Sequence, residues 1–316
     1  MANMPDIIVN LLLFLLHLEE KHRGLLEALK KRGADSVEVP LFQGTPDHYE
    51  TVGNMIREEV GFKQPTAVAM TTANADLSSR NRKIRARGVK HFKWLVDCTL
   101  SLGATRLVGP YTSAWAVWPK DRKGHDLAGT KLVEHMESRL EVSIPDFQEA
   151  LDYAAEWGVE VDFEYLIGWE LPYFNTIEHA VAFLKKLDRR NAGVTVDTAH
   201  QVAGSGMRRL YFLLKQLQKR KAPIHIHISA PVHRGDIVES SIPFFEFLSV
   251  LKTLGINESL VIEIFNAVAP FAQGARLNRR AWTYEECLAI IAKGIRHLRN
   301  EWTRASDSFH FHKTVS

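Results

Sequence analysis

Short stretches in which hydrophobic and polar residues alternate recur along the whole chain, and longer stretches with helical spacing separate them. Side chains on a β-strand point alternately to opposite faces, whereas a helix repeats its apolar face about every 3.6 residues. The predicted strands are Ile7–Phe14, Ser36–Leu41, Ala67–Thr72, Arg106–Tyr111, Val159–Leu166, Gly193–Thr198, Ile224–Ser229 and Leu260–Phe265. Strands that alternate with helices in this way are typical of a parallel sheet.

The predicted helices lie between and after these strands. They are His17–Arg32, Asp47–Val60, Arg80–Leu102, Ser143–Trp157, Thr176–Arg190, Met207–Lys221, Pro243–Leu254 and Tyr284–Trp302. The fourth of them is expected to begin at Ser143, because a capping serine is followed there by a proline at an early position.

Eight strand–helix units favour a closed barrel over an open doubly wound sheet. The open sheet usually carries a glycine-rich phosphate loop after its first strand, and none follows the first strand here. We therefore expect an α/β fold, a (β/α)8 TIM barrel with a single domain over residues 1–304. Residues 305–316 are expected to form a flexible C-terminal tail.

The sequence IHIHIS at 224–229 places isoleucines on one face of a strand and His225, His227 and Ser229 on the other. This pattern fits a strand whose isoleucines pack under helices and whose imidazoles line an enclosed polar centre. His225 lies two residues deeper than His227, so we interpret it as a core histidine or as a group behind the site.

The last four strands each deliver one metal-ligand type of side chain near the carboxyl end, where barrels carry their catalytic groups. These side chains are Glu164, Asp197, His227 and Glu263. Three carboxylates and an imidazole that converge without a partner would repel one another and lose hydration. A divalent cation removes that cost, so we expect one metal ion per chain. Oxygen ligands with one imidazole favour Mn2+, with Co2+ or Mg2+ as alternatives.

Motifs around these residues carry a resemblance to a known family. They are LSSRNRKIRARGVKHFKWLVDCTLSLGA at 77–104, GPYTSAW at 109–115, FEYLIGWE at 163–170, VDTAH at 196–200, HIHIS at 225–229, HRGD at 233–236 and VIEIF at 261–265. The chain resembles the ketose 3-epimerases, which include the D-tagatose and D-psicose (D-allulose) 3-epimerases. That group falls within the xylose-isomerase-like sugar isomerase/epimerase family of barrels.

The resemblance implies that the four rim residues bind one divalent metal, with the two glutamates as the acid/base pair. It also suggests Trp115, Glu170 and His200 as substrate contacts. The family's substrate-binding arginine stands six residues after the metal histidine, a position that His233 holds here, and Arg234 follows it. Both are therefore candidates. The family has a tryptophan in its first βα loop, where this chain has leucines and phenylalanine.

The implied reaction is epimerisation of a free ketose at C3, of the D-tagatose, D-fructose or D-psicose type, through a cis-enediolate. Two strands separate Glu164 from Glu263, so the two carboxylates can flank opposite faces of a substrate. One would remove the proton and the other would return it. An aldose–ketose isomerase needs only a different carbon at the same two groups, and it is the alternative function.

The two further alternatives are an endonuclease acting on abasic DNA and a non-catalytic sugar-binding protein. The endonuclease needs several metals, and therefore more histidines and glutamates at the ends of the second to fourth strands. Glu38 on the second strand is interpreted as the lone carboxylate there, and the third and fourth strands offer no such residue. The net charge of +3 does not favour nucleic acid. The sugar-binding protein would be favoured only if the purified chain held no metal.

The apolar stretch Ile7–Leu18 is shorter than the roughly 20 residues that span a membrane, and no basic residue precedes it. Cys98 and Cys287 both fall in helical patterns, so we expect buried thiols in a reducing compartment. The expected protein is cytoplasmic, binds a small-molecule sugar and has no nucleic-acid or membrane partner. The resemblance further implies a homo-dimer or homo-tetramer.

Overall fold

The computed structural model describes residues 4–231, 234–277 and 279–306, apart from the side chain of Arg208. Within them, parallel strands close into one barrel in which sequence neighbours are also sheet neighbours. The strands are β1 (Ile7–Asn10), β2 (Ser36–Pro40), β3 (Thr66–Val68), β4 (Arg106–Gly109), β5 (Glu160–Glu164), β6 (Ala192–Asp197), β7 (Ile224–Ile228) and β8 (Leu260–Ile262). Pairing of β1 with β8 closes the barrel. The predicted (β/α)8 TIM barrel is confirmed.

Helices follow the strands and cover the outside of the barrel. They are α1 (Arg23–Lys31), α2 (Pro46–Asn54), α3 (Arg82–Ser101), α4 (Gly129–Glu156), α5 (Ile177–Leu187), α6 (Thr198–Ala203), α7 (Gly206–Arg220), α8 (Phe244–Thr253), α9 (Phe271–Gly274) and α10 (Tyr284–Arg304). A capping side chain accepts from a free backbone N–H group at the starts of α2, α3, α5, α6 and α10. Thr283, for example, caps α10 in a capping box with Glu286. Most of the predicted C-terminal tail, residues 307–316, lies outside the described residues.

The predicted start of the fourth long helix at Ser143 is wrong. Helix α4 already begins at Gly129 and contains Pro145 in its interior. A proline there cannot donate to the carbonyl one turn before it. Buried neighbours such as Met136 and Leu140 continue the apolar face ahead of the proline, and packing of that face outweighs the missing bond. The first strand is also shorter than predicted, because Asn10 ends it by capping a 3-10 turn at Leu11–Leu13.

The apolar core lies between the barrel and its helices. Outward-facing strand residues such as Val194, Ile226 and Ile262 are completely buried there. Cys98 and Cys287 are buried free thiols, as predicted. The buried polar side chains of the strands, such as Glu164, Asp197 and His227, lie inside the barrel near the carboxyl ends of the strands. In the described part of the chain, no helix has the length and apolar character needed to cross a membrane.

Candidate metal centre

Four side chains meet at the carboxyl-terminal mouth of the barrel. Glu164 and Asp197 end β5 and β6, His227 lies on β7, and Glu263 directly follows β8. Each offers one ligand atom, and these atoms lie within 4.8 Å of one another. All four are buried, with at most 3% of each residue exposed. The structure therefore brings together the four residues that the sequence singled out.

The strand register accounts for this convergence. Asp197 pairs directly with His227 across β6 and β7, and Glu164 pairs with Thr195 on β6. His227 pairs with Val261, two residues before Glu263. Because side chains alternate along each strand, these residues all face the inside of the barrel. The stagger between tilted strands brings them to the same end.

Local hydrogen bonds hold the Asp197 carboxylate in place. Its Oδ1 accepts from the backbone N–H groups of Ala199 and His200, at 2.8 and 3.0 Å, at the start of α6. The Ser229 hydroxyl on the neighbouring strand lies 2.6 Å from both carboxylate oxygens. Burial by itself raises the pKa of Asp197, but the nearby His200 and Arg234 outweigh it, so this pKa lies below its ordinary value.

The two glutamates face the same nitrogen of His227. Nδ1 of His227 lies 3.4 Å from Oε1 of Glu164 and 3.4 Å from Oε1 of Glu263. Burial and repulsion from Glu263 raise the pKa of Glu164 to about 8. Burial lowers the pKa of His227, but the surrounding carboxylates raise it well above its usual value. The four side chains Glu164, Asp197, His227 and Glu263, called the cage below, are thus an acidic group in which protons are bound.

The residues fit a divalent cation. Oε1 of Glu164 and Nδ1 of His227 are buried without a hydrogen-bond partner among the described residues. Ligands on opposite sides of an ion bound at about 2.1 Å stand roughly 4.2 Å apart, which agrees with the spacing of these atoms. The guanidinium of Arg234 contacts Asp197 and Glu263. One dication together with this arginine neutralises the three carboxylates.

Glu170 and Trp115 lie beside the cage and contact each other. The indole N–H of Trp115 donates to Oε2 of Glu170 at 3.4 Å, while the buried Oε1 of Glu170 has no partner among the described residues. Burial raises the pKa of Glu170 to about 7, although Arg234 lowers it. A carboxylate oxygen without a partner beside an indole ring can accept from a hydroxyl group of a small polar ligand.

His200 turns its Nε2 toward the cage, 3.8 Å from Oε1 of Glu164 and 3.9 Å from Oδ1 of Asp197. The backbone N–H of Ile167 donates to its Nδ1 at 3.1 Å, and Nη1 of Arg234, which is also a donor, lies 3.1 Å from its Nε2. Burial lowers the pKa of His200 to about 3, which keeps the ring neutral. His200 is therefore a buried neutral ring that contacts Arg234 at the edge of this group of acids.

Arg234 enters the cage although it stands one residue beyond the family's arginine position. It is buried, and its guanidinium carbon lies 4.7 Å from the centre of the Phe265 ring. Its positive φ of 46° turns the chain so that the side chain reaches Glu263. The other candidate, His233, lies outside the described residues. In the first βα loop, Leu12 takes part in lining the site.

The sequence interpretation of Glu38 as a lone carboxylate is wrong. Glu38 is completely buried inside the barrel, where Asn10 and Thr66 each donate to it at 2.9 Å. Nε2 of His225 lies 3.1 Å from Oε2, and Nε2 of His227 lies 3.0 Å from Oε1. His225 is therefore a group behind the site. A charged residue between two valines on β2 was the available sequence signal.

Burial acts on the protonation of this inner group. It raises the pKa of Glu38, but the charge of His227 and the contacts of both histidines outweigh it, so this pKa lies well below its ordinary value. Burial lowers the pKa of His225 to about 4 despite the neighbouring carboxylate. Glu38 is thus an anion next to a neutral His225.

The free space above the cage is small. A cavity of about 20 Å3 is bounded on its polar side by Glu164, Glu170, Arg234 and Glu263, and on its other side by apolar residues. The apolar residues are Leu12, Val68, Met70, Pro110, Leu166 and Phe265, with Trp115 between the two sides. This volume holds about one water molecule, so a larger ligand can enter only if the residues above the cavity move.

Comparisons with known proteins agree with this geometry. The family profile of the xylose isomerase-like TIM barrel matches residues 26–299. A ketose 3-epimerase of Arthrobacter globiformis is 26% identical over 274 residues, which cover 85% of this chain and 88% of that protein. An L-ribulose 3-epimerase of Methylomonas sp. (strain DH-1) is 23% identical, covering 78% of this chain and 79% of that protein. The crystal structure of a Methylomonas sp. D-allulose 3-epimerase with D-allulose superposes with a TM-score of 0.78 at 20% identity, covering 95% and 98% of the two chains.

Proposed function

The chain belongs to the xylose isomerase-like TIM barrel family, and from this premise we propose that it is a metal-dependent isomerase that epimerises a free ketose at C3. One observation carries the proposal: Glu164 and Glu263 approach the same nitrogen of His227 from β5 and β8. Two carboxylates on either side of a shared centre suit removal and return of one proton. The names of the curated relatives, both 3-epimerases, support the same reaction.

Glu164, Asp197, His227 and Glu263 are the proposed ligands of one divalent cation. Mn2+ is the favoured ion and Co2+ and Mg2+ are the alternatives, because the donors are three carboxylates and one imidazole. When bound, the cation supplies a Lewis acid that makes the hydrogen next to a ketose carbonyl easier to remove. The ligands must lose the protons they hold in the free cage, so binding the ion releases protons.

Acid/base work falls to the two glutamates. One carboxylate takes the proton from C3 on one face of the substrate, and the other returns a proton on the opposite face. Asn10 donates to Oε1 of Glu263 at 3.2 Å and Arg234 contacts its other oxygen, so this carboxylate is held firmly. Oε1 of Glu164 lacks such a partner. We propose that the less restrained Glu164 acts on one face of C3 and the fixed Glu263 acts on the opposite face.

Five further residues are proposed to hold the sugar. Glu170 offers a buried oxygen without a partner to a hydroxyl group, and the indole of Trp115 offers an apolar ring beside it. The ring of His200, which lies between Arg234 and Glu164, is the third proposed contact with a sugar oxygen. Arg234 supplies a fixed positive charge next to the cage. His233 remains a proposed contact on sequence grounds alone.

The proposal is tested by incubating the protein with Mn2+ and a panel of free ketoses in deuterated water. Deuterium at C3 of an inverted ketose is the expected result. Label at C1 or C2 together with an aldose product would identify the alternative, an aldose–ketose isomerase. Absence of exchange with every ketose would contradict both reactions.

Two variants test the assignment of the acid/base pair. Glu164→Gln and Glu263→Gln keep the side-chain shape but remove the base, so each is expected to lower kcat by about 10^2- to 10^4-fold. The matched control is Glu50→Gln, which removes an exposed carboxylate on α2. Full activity in either site variant at saturating Mn2+ would contradict this assignment.

A further inference from the structure

Four nitrogen or hydroxyl groups from three strands lie within 3.1 Å of the carboxylate of Glu38 inside the barrel. The amide of Asn10 and the Nε2 of His227 lie 2.9 and 3.0 Å from Oε1. The hydroxyl of Thr66 and the Nε2 of His225 lie 2.9 and 3.1 Å from Oε2. An ionised carboxylate has about four acceptor positions, and each oxygen here faces two donors.

The far side of His225 is also occupied by a donor. The guanidinium of Arg106 lies 3.4 Å from Nδ1 of His225 and donates to the Ile224 carbonyl at 2.8 Å. A neutral imidazole that accepts at Nδ1 carries its proton on Nε2, which is the nitrogen that faces Glu38. A line of polar contacts thus runs from Arg106 through His225 and Glu38 to His227.

At His227 the same line reaches the proposed metal centre. Nε2 has no aligned hydrogen-bond partner among the described residues, and Oε1 of Glu38 is the acidic oxygen beside it at 3.0 Å. Nδ1 faces Glu164 and Glu263 on the opposite side of the ring. An anion at Nε2 favours a proton on Nε2 and leaves the lone pair on Nδ1, which a metal needs.

We propose that Glu38 is a positioning residue that fixes His227 with its proton on Nε2 and its Nδ1 lone pair directed at the metal. This role rests on the proposed metal centre. The three other donors keep the carboxylate charged and immobile, so that it serves His227 as a fixed acceptor. Glu38 itself does not touch the metal or the sugar in this assignment.

Glu38→Gln is the variant that distinguishes this role from simple space filling. Glutamine has nearly the same shape, but one of its two terminal atoms is an NH2 donor. Whichever way the amide is turned, its NH2 group would then face donors from neighbouring residues. We expect the dissociation constant for Mn2+, measured by titration of the purified protein, to rise roughly 10- to 100-fold. Thr195→Val is the matched control, because the buried Thr195 hydroxyl forms no hydrogen bond in the described part of the barrel.

A spectroscopic measurement reads the proton on His227 directly. In protein with 15N-labelled histidine and Mg2+ added, the nitrogen shifts of His227 should report a protonated Nε2 and an unprotonated Nδ1. In Glu38→Gln this tautomer should no longer be the single form. The wild-type spectrum alone decides the matter if the variant does not fold, because a proton on Nδ1 in wild type overturns the role of Glu38.

The outcomes separate this inference from the proposed function. Wild-type protein that binds neither Mn2+ nor Mg2+ would overturn the metal centre, and the role of Glu38 with it. Wild type that binds Mn2+ while Glu38→Gln binds it equally well would overturn the positioning role alone. Weaker binding in Glu38→Gln than in Thr195→Val, together with a changed tautomer, supports it.

Discussion

A carboxylate buried inside a barrel needs donors, a cation or a proton, and single residues of this chain illustrate all three solutions. Glu38 is surrounded by hydrogen-bond donors and stays ionised. Glu164 lies among other acids, in a cluster whose geometry fits a cation. Asp162, on the amino-terminal side of Glu164, has no hydrogen-bond donor in the described structure, and Arg106 approaches it only to 3.5 Å. Burial therefore raises the pKa of Asp162 to about 7.

This raised pKa predicts a dependence of stability on pH in the metal-free protein. The folded chain keeps the Asp162 proton up to about pH 7, whereas the unfolded chain releases it near the ordinary value of 3.8. The contribution of Asp162 to the free energy of unfolding therefore falls as the pH rises from 3.8 to about 7, by at most about 4 kcal/mol. Asp162→Asn should remove this fall, measured by urea unfolding at several pH values.

The control for that experiment is Glu50→Gln, which neutralises an exposed carboxylate on α2. Its unfolding curve should follow the wild-type dependence on pH. A difference between Asp162→Asn and wild type that stays constant from pH 4 to pH 8 would contradict a bound proton on Asp162.

At the scale of elements, the loops after β4 and β8 close over the metal cage. Trp115 from the first loop packs edge-on against Phe271 of α9, with ring centres 6.0 Å apart. Phe271 in turn stacks on Phe265 with ring centres 4.3 Å apart. Gly274 at the end of α9 lies so close to Trp115 that a Cβ atom would stand 1.9 Å from the indole.

Gly274→Ala is expected to hinder the closed arrangement of these loops. The added methyl group and the Trp115 ring cannot occupy the same space, so kcat/KM for a ketose substrate should fall by about 10-fold or more, consistent with the loss from a small misplacement of a positioning group. The affinity for Mn2+ should not change, because α9 supplies none of the proposed ligands. Steady-state kinetics and a metal titration measure the two effects.

Gly24→Ala is the matched control, since a Cβ atom at Gly24 in α1 meets nothing within 4 Å. Its kinetics should equal those of the wild type. If Gly274→Ala had wild-type kcat/KM, the contact between α9 and Trp115 would have no part in catalysis.

At the scale of the whole molecule, the cage forms only when the barrel is closed. Asn10 on β1 reaches Glu263 beyond β8, and these strands pair along the seam that completes the sheet. The proposed ligands come from β5 to β8, so an unfolded chain cannot present them together. An ion that binds this cage therefore stabilises the folded barrel as a whole.

Addition of Mn2+ should raise the melting temperature of the metal-free protein. At a concentration about 100 times the dissociation constant, the gain in unfolding free energy is about 2.7 kcal/mol. For a chain of 316 residues that corresponds to roughly 4 °C, measured by differential scanning calorimetry. A chelator should reverse the shift. An equal shift in the Asp197→Asn variant would indicate that Mn2+ stabilises the protein elsewhere.

The order of strands and helices and the rim acids followed from the sequence by itself. The apolar repeats of two residues for strands and 3.6 residues for helices can be recognised within a few positions. The position of a residue such as Asp197 at a strand end then indicates which face of the strand it lies on and which end of the barrel it is near. The start of α4 could not be read in this way, because packing of residues ahead of Pro145 overrode a local capping signal.

Only the tertiary structure decided what surrounds those acids. Glu38 and His225 stand 187 positions apart, and their contact depends on the tilt and stagger of strands across the closed barrel. The contact of Trp115 with Gly274 likewise joins two loops that are distant in the chain. Alternation in the sequence tells which face a side chain takes, but the group it meets inside a barrel is set by the geometry of all eight strands.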